Sequence, residues 1–548
     1  MDEHKRTYSF AVLGLVVFAG YLLTLSRNYL GDGIQFVMAT EAKNISLMPN
    51  HMLYNAFIFV WYEMWRLLGW TGNAIMPLQI FSAFWGAVSV VLFSFLILRI
   101  TNSLKITVLV SFGFAVSFAT WLFSTDVEVV TFPLALNLLL LNIVIASPSH
   151  WLGRPWGAAA TGLLTSISIL SYQTGVFMVP VAVLAYLLRD FGKSASKRQL
   201  ITVYLFSVFV VAFGCYVLIA RLVYNVATVR AFVHWQFFLS GVGPWGVFSG
   251  QSLPTGMFGF VRSLSSFPGL NYIAGIRTFF MFAPLPEKVL FICYYSMLTA
   301  LAGYMSFMLI LRWRILFTQY RLPLSLFAAS GFLYAAFAIY WIPADIQFWV
   351  PVAASWWGAI ALFLASYGEE EGRNEGSTLL SGRPVIVAVI FVCIISLVNF
   401  FGTILPNTKI KNNLEYNVAV SLKNVVKKND LVITSGADRI FMYILYFLKT
   451  SDNVLSISVL GMNNGTSHNV PAEIDRKIEG AISEGNDVYF VGMKPGRFVL
   501  WKAMKRLGID QGFVGKYDTT VCSRIDGEEN LKLTTDNKRR CGKIDRGE

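Results

Sequence analysis

A carboxylate between two glycines stands in the stretch "NYLGDGIQFVMATEAKN", which follows the first apolar segment of the chain. Asp32 has Gly31 and Gly33 as neighbours, and glycine lets a substrate or a second backbone approach closely because it carries no side chain. A carboxylate in such a place can take the proton of an attacking hydroxyl group. A solvated loop acid is the simpler interpretation, but the glycine flanks favour a general base.

Other acids and polar side chains stand at the ends of later apolar stretches, in "STDVEVV", "SYQTG" and "PADIQFW". Carboxylates close to a bilayer are costly unless they are solvated, paired or used. We therefore expect a site that gathers these side chains on one face of the membrane, with three acids that bind an acceptor or support the base: Asp126, Glu128 and Glu41. The other predicted site-lining residues are Tyr172, Gln173, Asp345 and Gln347. A helix N-terminus also favours acids, so "DVE" alternatively caps the helix that follows.

The composition places these residues in a membrane protein. Of the 548 residues, 55% are hydrophobic and only 14% are charged, well below the share of about a quarter that is usual in a soluble domain. The net charge of +13 does not indicate nucleic acid binding, because the Lys and Arg residues lie mainly beside apolar segments and in the tail.

Apolar segments long enough to cross a bilayer recur along the first three quarters of the chain and predict about eleven helical spans. They are expected at residues 8–26, 77–98, 106–124, 128–147, 156–171, 174–189, 200–220, 288–311, 322–341, 346–366 and 384–405. An excess of Lys and Arg in alternate loops places the N-terminus on the cytoplasmic side. The aromatic segment 51–70 carries Glu63 and Arg66, which favours a helix that lies on the outer surface rather than a span.

This topology divides the chain into a transmembrane domain, residues 1–405, and a soluble domain, residues 406–548, on the outer face. Long external loops are expected at residues 27–76 and 221–287. The tail alternates strand-like and helix-like segments, which predicts a small α/β domain with a parallel sheet. Two of its cysteines, Cys522 and Cys541, can pair in an oxidising compartment, although two free thiols remain an alternative.

Several kinds of chemistry are excluded by their missing motifs. The sequence has no Gly-x-x-x-x-Gly-Lys-Ser/Thr loop, no His-Glu-x-x-His pattern, no Cys-x-x-Cys pair and no Gly-x-Ser-x-Gly turn. An ATP-driven pump, a zinc protease and a serine hydrolase are therefore disfavoured, and no nucleotide cofactor is expected. A divalent cation between carboxylates stays open, since the spacing of the acids does not demand a metal.

The order of these segments resembles the membrane glycosyltransferases of the GT-C superfamily, and within it the bacterial branch related to protein O-mannosyltransferases. The resemblance rests on "GDG", then "PNHMLY", then "LQIFSAFWGAVSVVLFSFLILRIT", then "FAVSFATWLFSTDVEVVTFPLAL", and more loosely on "YWIPADIQFWVP". The sequence departs from the family where "HMLY" stands in place of a proline-containing segment, and where the last external loop lacks the usual arginine.

The resemblance implies transfer of a sugar from a polyprenyl-phosphate donor to an acceptor on the outer face of a bacterial inner membrane. The acceptor is a glycan, a lipid or a protein. Asp32 is then the predicted base of a single-step inversion, and the departing phosphate needs cations or hydrogen-bond donors that are already in place. The candidates for that phosphate are Arg27, His51, Tyr54, Arg230, Arg262 and Arg277.

Two other functions compete with a transferase. A transporter or flippase for a lipid-linked glycan would also have many spans, but it would need polar groups near the bilayer midplane and matching half-repeats. A non-catalytic anchor would only present the tail to partners. In that case a change at Asp32 would have no effect, and loss of the tail would.

Overall fold

The computed structural model describes most of the membrane-embedded part of the chain and parts of the tail. The described residues are 3–45, 48–191, 196–237, 246, 248–267, 279–280, 283–371, 383–423, 425–434, 438–448, 453–457, 460, 470–491, 519–525 and 528–533.

Helices make up almost all of the structure before residue 407. In chain order they are α1 Glu3–Leu23, α2 Gly31–Glu41, α3 Met52–Leu67, α4 Ile75–Thr101, α5 Leu104–Val116, α6 Phe118–Thr125, α7 Thr131–Ala146, α8 Ser149–Leu152, α9 Pro155–Ser171, α10 Met178–Leu188, α11 Lys197–Val208, α12 Gly214–Leu222, α13 Val229–Gln236, α14 Ser252–Leu264, α15 Leu285–Leu311, α16 Trp313–Gln319, α17 Arg321–Trp341, α18 Val350–Glu371, α19 Arg383–Asn399 and α20 Leu405–Asn407. Short 3-10 turns at Gln173–Phe177 and Ile346–Trp349 lead into α10 and α18.

The protein is an integral membrane protein with several helical spans. Within the described residues, six helices are long and apolar enough to cross a bilayer: Ile75–Thr101, Lys197–Leu222, Leu285–Leu311, Arg321–Trp341, Ile346–Tyr367 and Arg383–Asn407. The bent pair α5 and α6 makes a seventh if it is counted as one span. The sequence predicted about eleven, because hydropathy also selects apolar helices that are too short to pass this test, such as α7 with 16 residues.

A bend of 61° separates α5 from α6. The bend leaves carbonyl groups of α5 without helical partners, and these must be satisfied by side chains where water is absent. The Tyr21 hydroxyl donates to the Ala115 oxygen at 2.9 Å, and Asn399 Nδ2 donates to the Val116 oxygen at 2.8 Å. Trp357 Nε1 donates to the hydroxyl of Ser117, the residue at the bend, at 3.0 Å.

Two compact units share the chain. One comprises Met1–Ser26 and Ala39–Pro406, and we call it the membrane unit; the other comprises Arg27–Met38 and Asn407–Glu548, and we call it the C-terminal unit. The segment Arg27–Met38, from the first predicted external loop, therefore belongs to the same unit as the tail. Sequence periodicity carries no information about such a pairing.

The C-terminal unit contains a five-stranded sheet, as expected from the alternating pattern of the tail. Its elements are α21 Leu414–Leu422, β1 Leu431–Thr434, α22 Asp438–Tyr443, β2 Asn453–Ser456, α23 Val470–Ser483, β3 Val488–Val491, β4 Thr519–Ile525 and β5 Glu528–Leu533. The strand order is β2-β1-β3-β5-β4. β1 pairs in parallel with β2 and with β3, whereas β5 pairs antiparallel with β3 and β4. The predicted helix "RFVLWKAMKRLG" lies outside the described residues.

Close packing within the membrane unit gives a direct test of the fold. A Cβ atom at Gly86 would lie 2.1 Å from the hydroxyl oxygen and 2.7 Å from the Cβ of Ser124, so we expect Gly86→Ala to lower the stability by about 1–3 kcal/mol through overpacking. Thermal unfolding of the purified protein in detergent measures the change. The matched control is Gly303→Ala in α15, where a Cβ would meet no atom within 4 Å. Equal melting temperatures for the two variants would contradict the packing of α4 against α6.

Candidate functional site

Asp32 lies in the first turn of α2. The positive end of the helix dipole favours the ionised carboxylate there by about 0.3–1 kcal/mol. Desolvation by the surrounding protein acts in the opposite direction and raises the pKa of the Asp32 carboxyl above its ordinary value of 3.8, although the residue itself is exposed. A carboxyl with a raised pKa holds a proton more strongly than an ordinary aspartate does, and its exposed position lets a substrate reach it; both properties suit a general base.

Two acids of the membrane unit are buried at the point where α6 ends. Asp126 is 0% exposed and Glu128 is 4% exposed. The Asp126 carboxylate accepts from the backbone N–H of Val127 at 2.8 Å, and that of Glu128 accepts from the N–H of Val129 at 3.3 Å. These acids are not a solvated cap, because both are buried; a buried carboxylate is retained only where hydrogen bonds or a function compensate for its lost hydration.

Tyr54 stands beside these acids. Its ring is 0% exposed, and its hydroxyl bonds with the side chain of Ser82. Burial is the main reason that the pKa of the Tyr54 phenol lies well above its ordinary value, and the negative charges of Glu128 and Asp126 raise it further. The phenol therefore stays protonated and can donate a hydrogen bond. The structure brings three predicted site residues together here: Tyr54, Asp126 and Glu128.

A row of rings extends from the start of α3. The His51 ring lies 6.3 Å from the Tyr172 ring, and Tyr172 stacks on Phe348 at 6.4 Å. The row thus joins the predicted segments "HMLY", "SYQTG" and "IQFW". Gln173 is anchored in the same place, since its backbone N–H donates to the Asn50 oxygen at 2.9 Å.

The charge state of His51 bears on its predicted role. Burial lowers the pKa of the imidazole from 6.5 to about 4, partly opposed by a hydrogen bond with the backbone of Asn50. His51 is therefore neutral near pH 7. It can offer a single hydrogen bond to a phosphate, but it cannot supply a positive charge.

Asp345 and Gln347 are bonded to each other. The Asp345 carboxylate accepts from the Gln347 backbone N–H at 3.1 Å and from Gln347 Nε2 at 3.0 Å. Glu41 also has a structural partner, because its carboxylate accepts from the N–H of Ala74 at 2.9 Å, directly before α4. Orphan N–H groups at a helix start are stabilised in this way.

The predicted basic residues fall into three groups. Arg262 is 2% exposed on α14, on a helix whose glycines approach the "PADIQFW" segment closely: a Cβ at Gly259 would lie 2.3 Å from the Pro343 oxygen. Arg27 and Arg230 are exposed. Arg277 lies outside the described residues.

No group of three His, Cys, Asp or Glu side chains that could hold a metal ion occurs in the part of the chain that the structure describes. The predicted disulfide cannot be placed, because Cys541 and the side chain of Cys522 lie outside that part. Cys215, which the sequence places within a span, packs in a hydrophobic cluster with Met52 and Tyr216.

Sequence reasoning missed two polar residues of α4 that hold this region. Gln79 Nε2 donates to the Ser26 oxygen at 2.7 Å and to the Thr125 oxygen at 3.0 Å, and so fixes the residue before Asp126. Ser82 contacts both Tyr54 and the backbone of Glu128. The signal was present, since two polar residues three positions apart in "LQIFSAFW" lie on one face of an apolar helix.

No family model and no curated protein matches this sequence. Among the solved structures that match its fold are two of ArnT from Cupriavidus metallidurans. The crystal structure bound to undecaprenyl phosphate superimposes with a TM-score of 0.55 at 10% sequence identity, over 97% of this chain and 99% of that chain. The apo structure gives a TM-score of 0.56 at 11% identity, over 96% and 98% of the two chains.

The chain has the ArnT fold. The match extends over the membrane-embedded part and the tail together, so the arrangement of a polytopic helical region followed by a small sheet is confirmed. At this level of identity the likeness concerns the fold alone.

The low pKa of His51 predicts a pH-dependent stability. Between pH 6.5 and pH 4 the unfolded chain binds a proton at this residue and the folded chain does not, so stability falls as the pH is lowered, by up to about 3 kcal/mol. We expect His51→Asn to flatten the fall in melting temperature over this range in detergent. The exposed His150 provides the control, because His150→Asn should leave the pH dependence as in the native chain. Parallel curves for the native chain and His51→Asn would show that His51 is hydrated.

Proposed function

We propose that this protein is an integral membrane glycosyltransferase that moves a sugar from a polyprenyl-phosphate donor to an acceptor hydroxyl on the extracytoplasmic face. The observation that carries the proposal is the Asp32 carboxyl, with its raised pKa, at the start of a helix in a chain with the ArnT fold. The undecaprenyl phosphate bound to ArnT supports a lipid phosphate as the group that leaves. The motifs that resemble GT-C transferases support the same reaction.

In the proposed reaction the acceptor oxygen forms a bond with the anomeric carbon while the bond from that carbon to the phosphate oxygen breaks. The acceptor proton passes to the Asp32 carboxylate, and the electron pair of the broken bond leaves with the polyprenyl phosphate. Attack opposite to the leaving group inverts the anomeric configuration in one step. The protein supplies the proton acceptor and the fixed geometry.

Buried polar groups of the membrane unit are suited to hold the substrates. A dianionic leaving group is stabilised by a preorganised cation, and Arg262 provides a guanidinium in a buried position. Neutral His51 provides a hydrogen bond only. Asp126 and Glu128, beside the protonated Tyr54 hydroxyl, are acceptors for the hydroxyl groups of a sugar, so we assign the recognition of a hydroxyl-rich substrate to this cluster.

The outward orientation rests on charge. Arg99 and Lys105 flank the turn between α4 and α5, and Arg312, Arg314 and Arg321 surround α16. Both places fall on one side when the eleven spans predicted from the sequence alternate, and the positive-inside rule assigns that side to the cytoplasm. Asp32 and the C-terminal unit are then extracytoplasmic.

The first test is the release of polyprenyl phosphate by the purified protein from a panel of polyprenyl-phosphate sugars, with host membrane extract as the source of acceptor. We expect Asp32→Asn to lower the release at least about 10³-fold, the upper range for loss of a general base, while donor binding is unchanged. Glu63→Gln is the control, because Glu63 forms only a partly exposed ion pair with Arg66 at 3.3 Å. Unreduced release by Asp32→Asn would exclude this residue as the base.

The raised pKa of Asp32 also predicts the shape of the pH profile. A base must be deprotonated to act, so activity rises with pH through its pKa. We expect the acid limb of kcat/KM to fall above the ordinary aspartate value of 3.8. A limb at or below that value would mean that the carboxylate is hydrated in the working enzyme.

A flippase would give a different result in the same assay. It would bind the donor and move it across a proteoliposome membrane without releasing polyprenyl phosphate, and Asp32→Asn would not change the movement. Movement without release would replace the transferase by this second function. If the protein neither bound nor cleaved any donor of the panel, both functions would fail.

A further inference from the structure

The segment that carries Asp32 has its folding partners in the tail. Arg27–Met38 belongs to the C-terminal unit. Both backbone polar groups of its first residue, Arg27, form hydrogen bonds with the tail. The Arg27 N–H donates to the Asn407 oxygen at 2.7 Å, and the Arg27 oxygen accepts from Asn413 Nδ2, also at 2.7 Å.

Asn413 and Tyr443 form a buried pair that holds two carbonyl groups of this segment. Both residues are 0% exposed. The Tyr443 hydroxyl donates to the Tyr29 oxygen at 2.9 Å and accepts from Asn413 Nδ2 at 2.8 Å. Asn413 Oδ1 in turn accepts from the Tyr416 N–H at 2.9 Å at the start of α21, so the amide is fixed by the helix that it caps.

Further contacts restrict the same segment from its side chains. The Tyr29 ring stacks on Tyr443 and on Phe447, with centroids 6.3 Å apart in each case. The Arg439 guanidinium donates to the Asn28 side-chain oxygen and lies 3.8 Å from the Glu415 carboxylate. Side chains of α21 and α22 therefore both take part in holding this segment.

The hydrogen-bonded carbonyl groups of Arg27 and Tyr29 lie directly before α2. The helix begins at Gly31, and the Ile34 N–H already donates to the Leu30 oxygen at 3.2 Å. Fixing the Tyr29 carbonyl therefore fixes the start of the helix, and with it the direction of the first turn in which Asp32 lies. Gly31 and Gly33 add no stiffness of their own, since glycine is the most permissive residue.

We propose that Asn413 and Tyr443 are positioning residues for Asp32, so that the C-terminal unit is a part of the catalytic apparatus. The proposal rests on the function proposed above and extends it, because it gives residues of the C-terminal unit a role in the reaction. The effect is exerted through the backbone of residues 27–30, and neither residue needs to touch a substrate. Displacement of a catalytic group by about 1 Å can lower a rate 10²-fold.

The test compares two Tyr→Phe variants of the full-length protein. Tyr443→Phe removes the hydroxyl that holds the Tyr29 carbonyl. The control is Tyr489→Phe, which removes a hydroxyl of the same unit that donates to the Val425 oxygen at 3.2 Å, outside the Arg27–Met38 segment. We expect Tyr443→Phe to lower kcat about 10- to 100-fold with an unchanged KM for the donor, and to speed amide hydrogen exchange in residues 27–38. The control should change neither quantity.

Hydrogen exchange separates the two possible failures. Unchanged exchange in residues 27–38 and full activity of Tyr443→Phe would overturn the positioning role and leave the transferase function intact. If the native chain transfers no sugar while Tyr443→Phe still speeds the exchange, the transferase function is wrong. The contacts of Tyr443 with residues 27–30 then have no catalytic role. Asn28→Ala removes the acceptor of Arg439 and the donor to Asn407 Oδ1, and it serves if Tyr443→Phe does not fold. It should raise the exchange of the same residues by a smaller factor, and no change there would also count against the proposal.

Discussion

A bent membrane helix must find partners for the carbonyl groups that the bend exposes, and the membrane unit is built around that requirement. Each unsatisfied group in hydrocarbon costs several kcal/mol. At the bend between α5 and α6 two carbonyl groups accept from Tyr21 and Asn399, and the Ser117 hydroxyl accepts from Trp357. Helices far apart in sequence therefore contact one another at this bend. From the bend α6 runs towards Asp126 and Glu128.

The acids delivered by this bend show how buried charge is tolerated near a bilayer. Oxygens of Asp126 and Glu128 accept from backbone N–H groups of the next residues, and a protonated phenol lies beside them. Backbone N–H groups thereby compensate for part of the hydration that these two carboxylates lose on burial.

Hydropathy predicted the location of the membrane helices and alternation predicted the parallel strands, because both patterns are local. The antiparallel pair β4 and β5 was not predicted, although "DG" between "TTVCSRI" and "EENLKL" is a hairpin signal. Glu41 was predicted as a supporting acid, and the structure adds that it accepts from the N–H of Ala74 at a helix start; this partner lies 33 residues away, beyond any local pattern. The same limit applies to Asp32. The flanking glycines predicted a role as a base, but they carried no information about the C-terminal unit to which Asp32 belongs.

The hydrogen bonds between the tail and residues 27–30 also bear on when this segment can fold during synthesis. Asn28 and its partner Asn407 are 379 residues apart in the chain, which at ribosomal speeds of 5–20 residues per second corresponds to roughly 20–80 s. During that interval the membrane helices can insert and pack, but the stretch that contains Asp32 lacks its hydrogen-bond partners from the tail. A nascent chain that stalls before residue 443 therefore contains the membrane helices that the structure describes and lacks the hydroxyl that holds the Tyr29 carbonyl.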